Sequence, residues 1–392
     1  MYKQLQNEIF QNERQLIEIR RYLHENPELS HQEVLTPKYI AAFYDELNIP
    51  YRQQVGGRGV VATLKGDLPG KTVALRADFD ALAIEEQTEV PFKSKIPGIM
   101  HACGHDAHTA SLLVAAKALH LMKEKIKGTI VFIHQFGEES PPGGAKFMIE
   151  DHCLDDVDAI FGAHIWAGSK TGIVHVVEGP IFAGGDIFEV IIKGKGGHGA
   201  LPHMTKDSIV IAAQLVSSLQ QIVSRKIDPL EPAVLSIGHI EALNPSNVIA
   251  DSCILRGTIR AFSNEVLEQL RTEIEKFTQA TCLLYDADYE VNIYDGYPPV
   301  INTKDEAMLV KEVIMETSFL KYEDFQPAPT AEDFAYYLQK IPGAFFLVGG
   351  QDSSWETVYP HHHPKFNLDE SAMKYQSYLL ASCALRFLET NI

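Results

Sequence analysis

The sequence predicts an α/β protein whose mostly parallel sheet carries helices on both faces and whose chain is interrupted by a smaller ferredoxin-like α+β domain. Three observations predict this. In the first half, short apolar runs alternate with segments of helical spacing, as strand–helix–strand crossovers require. Between residues 184 and 295 the order becomes β-α-β-β-α-β, the split ferredoxin-like unit. After 295 the alternation resumes, so the larger domain is expected to be discontinuous, built from 1–183 and 296–392.

The elements follow in order. The N-terminal stretch mixes charged and apolar residues at helical spacing. It has no uninterrupted apolar core, so it reads as helix and not as a signal peptide. Residues 60–64 and 72–77 are apolar runs expected as buried strands, followed by a helix over about 106–125, a strand over 129–135, a short helix near 145–150 and a strand over 159–165. In the inserted domain, strands are expected at 186–193, 233–240, 253–262 and 289–294, with helices at about 206–225 and 265–280. Helices at 304–316 and 332–339, a strand at 344–348 and a long C-terminal helix complete the chain.

Composition narrows the function classes. At 392 residues, 45% hydrophobic and 22% charged, the chain matches two ordinary globular domains. A net charge of -18, from 34 basic and 52 acidic residues, makes nucleic acid and anionic membrane poor partners. No apolar stretch reaches transmembrane length. The five cysteines are scattered and none forms a CxxC pair. That argues for a reducing compartment, with the cytoplasm as the expected location.

Four segments carry candidate chemistry. His101-Ala102-Cys103-Gly104-His105-Asp106-Ala107-His108 stands just before a predicted helix. Thiolate and imidazole suit zinc, manganese, cobalt or nickel, and the glycine permits a sharp turn between two ligands. Cys103 could equally be an ordinary buried thiol. Gly137-Glu138-Glu139 follows the strand at 129–135. One carboxylate there can ligate while its neighbour accepts a proton, as metal-assisted hydrolysis needs. A lone acidic pair is more commonly a solvated loop. His164 ends the strand at 159–165, and His361-His362-His363 precede the last helix. A lone histidine at a strand end is more often a core residue. Together the four offer Cys, His, carboxylate, His and His within one domain. Five ligands with a bridging group suffice for two divalent ions roughly 3.5–4 Å apart.

The segments RADFDAL (76–82), HACGHDAH (101–108), GEES (137–140), GAHI (162–165), GGHGALPH (196–203), NVIAD (247–251) and HHHPKF (361–366) resemble the aminoacylase/carboxypeptidase family of metallohydrolases. The closer resemblance is to its amidohydrolase subfamily, which includes indoleacetyl-amino-acid hydrolases, hippurate hydrolases and N-acetyldiaminopimelate deacetylases. The resemblance implies a zinc-peptidase-like catalytic domain with 184–295 as a lid and dimerisation domain, in a homodimer or tetramer. It implies two divalent metal ions, zinc or manganese, with cobalt or nickel as alternatives. Cys103 would bridge them as a thiolate, and His105, Glu139, His164 and His362 would ligate. Glu138 would be the general base. Asp80 would orient a histidine ligand, although Asp78 and Asp80 could merely cap a turn. His198 would donate to the oxyanion, reaching across a dimer interface, and Asn247 and Arg260 would hold the substrate carboxylate. The implied substrate is a small N-acyl amino acid. A dipeptidase or carboxypeptidase of the same family, or a metal-binding protein without catalysis, is the alternative. One departure touches the acyl pocket: Pro329-Thr330-Ala331 stands where the family often has Gly-Ser before Glu-Asp-Phe.

Overall fold

A computed structural model describes residues 1–390 of the chain. They divide into two compact units. One comprises Met1–Ile181, Ile301–Gln326 and the stretch from Asp333 onward; the other comprises Phe182–Val300 and Pro327–Glu332.

The larger unit is built on an eight-stranded sheet. Its centre is four parallel strands in the order Lys127–Gln135, Leu68–Asp78, Ala159–Lys170 and Gly343–Gln351. Gly59–Lys65 and Tyr51–Val55 extend one side antiparallel, and Ile173–His175 and Lys321–Tyr322 extend the other. The central strands are buried along most of their length, with Val73, Leu75, Ile130, Phe132, Phe161, Phe345 and Leu347 inaccessible. Near-continuous apolar runs are what a parallel sheet covered on both faces demands. The helices His105–His120 and Ala372–Thr390 pack on each other and against this sheet.

Two helices differ from expectation. The one expected over 106–125 stops at His120, and Lys123–Lys125 forms a separate 3-10 turn. The carbonyls of Lys123 and Ile126 there accept the amides of Asp67 and Leu68, which diverts the backbone toward the sheet. The helix expected over 332–339 shrinks to Ala335–Leu338. Asp333 is held in a buried ion pair with Arg76, so tertiary contacts override local propensity.

In the smaller unit, the strands Ala233–Glu241, Ser252–Ala261, Gly184–Lys193 and Asp288–Tyr294 form an antiparallel sheet in that order. In chain order this is second, third, first, fourth, the ferredoxin-like arrangement. Helices Ser208–Arg225 and Asn264–Leu284 close the core through Leu215, Leu219, Leu270 and Ile274 against Phe188, Val190, Ile192 and Leu255. Both helices start on side-chain caps, Asp207 accepting from Ile209 and Val210 and Ser263 from Val266. Among the described residues, no helix is long and apolar enough to cross a membrane.

Candidate metal centre

The sheet brings the candidate residues together. Asp78 and Gln135 are paired at the ends of adjacent parallel strands, so the loops carrying Asp80 and Glu138-Glu139 leave the sheet side by side. His164 lies on the next strand, and Cys103 and His105 stand at the start of the His105–His120 helix. Gly104 between them has φ +94°, a backbone conformation that a residue with a Cβ rarely adopts.

Ring-nitrogen bookkeeping separates the histidines. His164 Nδ1 donates to the Ile165 carbonyl at 2.7 Å, leaving Nε2 open 3.3 Å from Cys103 Sγ. His105 Nδ1 donates to Asp80 Oδ1 at 3.1 Å. Its Nε2 is buried without a hydrogen-bond partner, 3.8 Å from Glu139 Oε1 and 3.9 Å from Glu138 Oε2. His362 Nε2 is 3.2 Å from Glu139 Oε1. His361 is different: its Nε2 accepts the Ala167 amide at 3.1 Å, so its Nδ1, 3.9 Å from Cys103 Sγ, carries the proton. His363 turns away to stack on Tyr359 at 4.6 Å. His108 commits both nitrogens, to Asp78 Oδ1 at 2.6 Å and to the Ile165 amide at 2.9 Å. Of these, His105, His164 and His362 have a ring nitrogen open toward Cys103 or Glu139, and His101, buried in the same segment as His105, also has both ring nitrogens without a hydrogen-bond partner.

Electrostatics test whether a cation fits. Burial pushes the Cys103 thiol well above its ordinary range, and Glu139, Glu138 and Asp78 push it further. Burial alone would favour neutral His105, but Asp78, Asp80 and Glu139 outweigh it and raise the imidazole to about 10. Arg76 is already engaged by Asp78 at 2.6 Å and by Asp333 at 2.9 Å. Negative charge thus converges on open nitrogen and sulfur donors. Cys103, His105 and Glu139 place ligand atoms within 4.8 Å of one another, and His164 Nε2 stands 3.3 Å from Cys103 Sγ. A mixed thiolate, imidazole and carboxylate set fits a borderline divalent metal ion.

Asp80 does more than cap a turn. It is buried, and its Oδ2 accepts from Ser30 Oγ at 2.6 Å and from the Glu139 amide at 3.0 Å. One carboxylate so joins the histidine His105 to the loop of Glu138 and Glu139. Glu138 is only 6% exposed, which rules out a solvated acidic loop.

The remaining candidates lie in the smaller unit. His198 is exposed, and its strand pairs with Val248–Ile249, beside Asn247. The Ala200 amide donates to His198 Nδ1 at 3.1 Å, so the ring proton is on Nε2. The Asn247 carbonyl accepts the Gly199 amide at 2.8 Å. Arg260 sits apart on the Ser252–Ala261 strand, where its Nη1 donates to the Ile259 carbonyl at 2.8 Å.

Sequence reasoning gave no role to several buried groups near the centre. Asp106, next to His105, is bonded by Arg20 at 2.9 Å and by His24 at 2.8 Å. The signal that could have found such residues is a charge inside an apolar run, as Arg76 stands in VALRAD, because a buried charge must have a partner.

Residues 74–386 match the model of peptidase family M20/M25/M40. The protein YhaA of Bacillus subtilis is 48% identical over 374 residues, 95% of this chain and 94% of that one. The N-acetyl-L-cysteine deacetylase of Bacillus subtilis is 41% identical over 380 residues, 97% of this chain and 89% of that one. The crystal structure of the YXEP protein of Bacillus subtilis is described as a dinuclear metal-binding peptidase of the M20 family. It superposes with a TM-score of 0.85 at 36% identity, over 97% of this chain and 99% of that one. The chain belongs to peptidase family M20/M25/M40. It is a metal-dependent hydrolase of amide bonds.

Proposed function

We propose that the chain hydrolyses small N-acyl amino acids to a carboxylic acid and a free amino acid. The observation that carries this reading is Glu138, a buried carboxylate 3.9 Å from the open nitrogen of His105 and next in sequence to Glu139. The deacetylase named among the relatives supports the substrate class.

In this reading Cys103, His105, Glu139, His164 and His362 would hold two divalent ions, zinc or manganese, with cobalt or nickel as alternatives. When bound, such ions polarise a carbonyl and lower the pKa of water. Glu138 takes the proton of the attacking water and passes it to the departing amine. Asp80 fixes the ring of His105. His198, with its proton on Nε2, donates to the oxyanion that develops on the carbonyl. Asn247 and Arg260 hold the substrate carboxylate, which a guanidinium fork suits. The 184–295 domain serves as lid and dimerisation module of a cytoplasmic homodimer or tetramer.

The test is amino-acid release from acetyl, benzoyl and indoleacetyl amino acids and from free dipeptides, with protein loaded separately with each of the four metals. Release that requires both a metal and an acyl group is expected. Cleavage of free dipeptides with none of the acylated compounds would overturn the reading.

A further inference from the structure

Residues 28–33, Glu-Leu-Ser-His-Gln-Glu, run past the loop of Asp80, which supports His105, and the loop that carries Glu138 and Glu139, and touch each of them. At one end Leu29 forms a parallel bridge with Ala81, whose amide donates to the Glu28 carbonyl at 2.8 Å. One residue on, Ser30 Oγ donates to Asp80 Oδ2 at 2.6 Å. That same oxygen accepts the Glu139 amide at 3.0 Å, while Asp80 Oδ1 accepts from His105 at 3.1 Å.

The other contacts fall on the loop Gly137–Ser140. Glu33 Oε1 accepts the Gly137 amide at 2.9 Å, and His31 Nε2 donates to the Ser140 carbonyl at 3.0 Å. Glu138 and Glu139 are the two residues between these anchors, so their loop is held at both ends. The fit is close. Gly137 has φ +65°, and a Cβ there would stand 2.7 Å from His31 Cε1. His31 itself has φ +63°, a conformation costly for a residue with a side chain, kept only where its surroundings impose it. Beyond the segment, the Glu28 carboxylate accepts the amides of Val34, Leu35 and Thr36 at 2.8–3.0 Å. That caps the helix Leu35–Leu47 and anchors the strap's second end.

We infer that residues 28–33 form a positioning strap, in which Ser30 acts through Asp80, and Glu33 and His31 act through the ends of Gly137–Ser140, to set the spacing of Glu138 from Glu139 and His105. The inference rests on the roles proposed above for those three residues. Ser30 and Glu33 bond to the supports of the reacting groups and not to the groups themselves. Burial, and then the charge of Asp80, push the Glu33 carboxyl up to about 8. Arg58 Nε stands 3.8 Å from the other carboxyl oxygen of Glu33, and glutamine keeps the oxygen that accepts the Gly137 amide.

Four variants test the strap: Ser30→Ala and Glu33→Leu remove the bonds, and Ser30→Thr and Glu33→Gln retain them. Each is measured for kcat and KM on an acyl amino acid, for melting temperature, and for metal release to a chelator with no substrate present. The expected result is a fall in kcat of about 10–100-fold for the first pair, the range that loss of a ligand's support produces, with KM changed less than about twofold and faster metal release from Ser30→Ala. The second pair should recover most of both. A kcat and a release rate for Ser30→Ala and Glu33→Leu matching the parent would overturn the strap, as would losses that Thr and Gln fail to rescue. A parent inactive on every acyl amino acid would sink the proposed substrate only. Faster release from Ser30→Ala than from Ser30→Thr would still support the strap, and equal release from the two would overturn it.

Discussion

The larger unit buries most of its chemically active side chains, His362 being the exposed one, and braces them with others, whereas the smaller unit leaves His198 and Asn247 at the surface. Asp80, one side of this contrast, is 1% exposed and takes three hydrogen bonds, from Ser30, His105 and the Glu139 amide. His198, the other, is exposed, and its ring accepts the Ala200 amide at 3.1 Å. The difference follows from desolvation. A buried charge costs several kcal/mol unless it is paired and hydrogen-bonded, so burying one carboxylate recruits a network. Arg76, Asp78, Asp333, Gln135 and His108 are that network in the larger unit. An exposed imidazole needs no such support, and its removal should cost function without stability.

The largest expected effect tests the buried side. Glu138→Gln keeps the shape and removes the proton acceptor. Turnover should fall by about 10²–10⁴-fold, the usual contribution of a general base. Bound metal, measured by elemental analysis, should equal that of the parent, since Glu139 and the histidines remain. A Gln variant with near-normal turnover would show that Glu138 is not the base.

His198→Ala tests the exposed side. Loss of one oxyanion donor lowers kcat by about 10²–10³-fold. Its unfolding free energy should change by less than about 0.5 kcal/mol, as for surface substitutions generally. A variant with kcat within twofold of the parent would remove His198 from the mechanism. One that unfolded readily would erase the contrast between the two units.

The two regions also differed in how far the sequence could be read. Alternating apolar runs and helical spacing announced the parallel sheet, and β-α-β-β-α-β order announced the antiparallel one, because both patterns are local. The candidate residue types were visible in the same way, as Cys, His and Glu gathered at predicted loops. Which ring nitrogens stay open was not visible. His361 and His362 are neighbours in sequence, and they are told apart by the amide of Ala167, 194 residues away from His361. The short helix at Ala335–Leu338 was misjudged for the same reason, since Asp333 answers to Arg76, 257 residues distant. Residues 28–33 went unremarked because Ser30 and Glu33 are unexceptional in a turn until Asp80 and Gly137 arrive beside them.

Acid should sharpen the comparison with a smaller effect. His134 lies on the Lys127–Gln135 strand, fully buried, with Nε2 2.8 Å from the Tyr44 hydroxyl. Burial pushes its imidazole down to about 3, against about 6.5 in an unfolded chain. The folded state therefore resists a proton that the unfolded state accepts. The stability this residue contributes is complete above the unfolded value and is lost as pH falls from about 6.5 toward 3, at about 1.4 kcal/mol per pH unit. His198, His203 and His239 in the smaller unit are not buried. Denaturant unfolding of the parent and of His134→Gln at pH 6.5 and 5.0 isolates the effect, because the shared carboxylates cancel in the difference. The parent should lose about 2 kcal/mol more than the variant across that interval. Parallel losses would mean that His134 is protonated without penalty in the folded protein, and that burial in the larger unit does not by itself make it the acid-labile half.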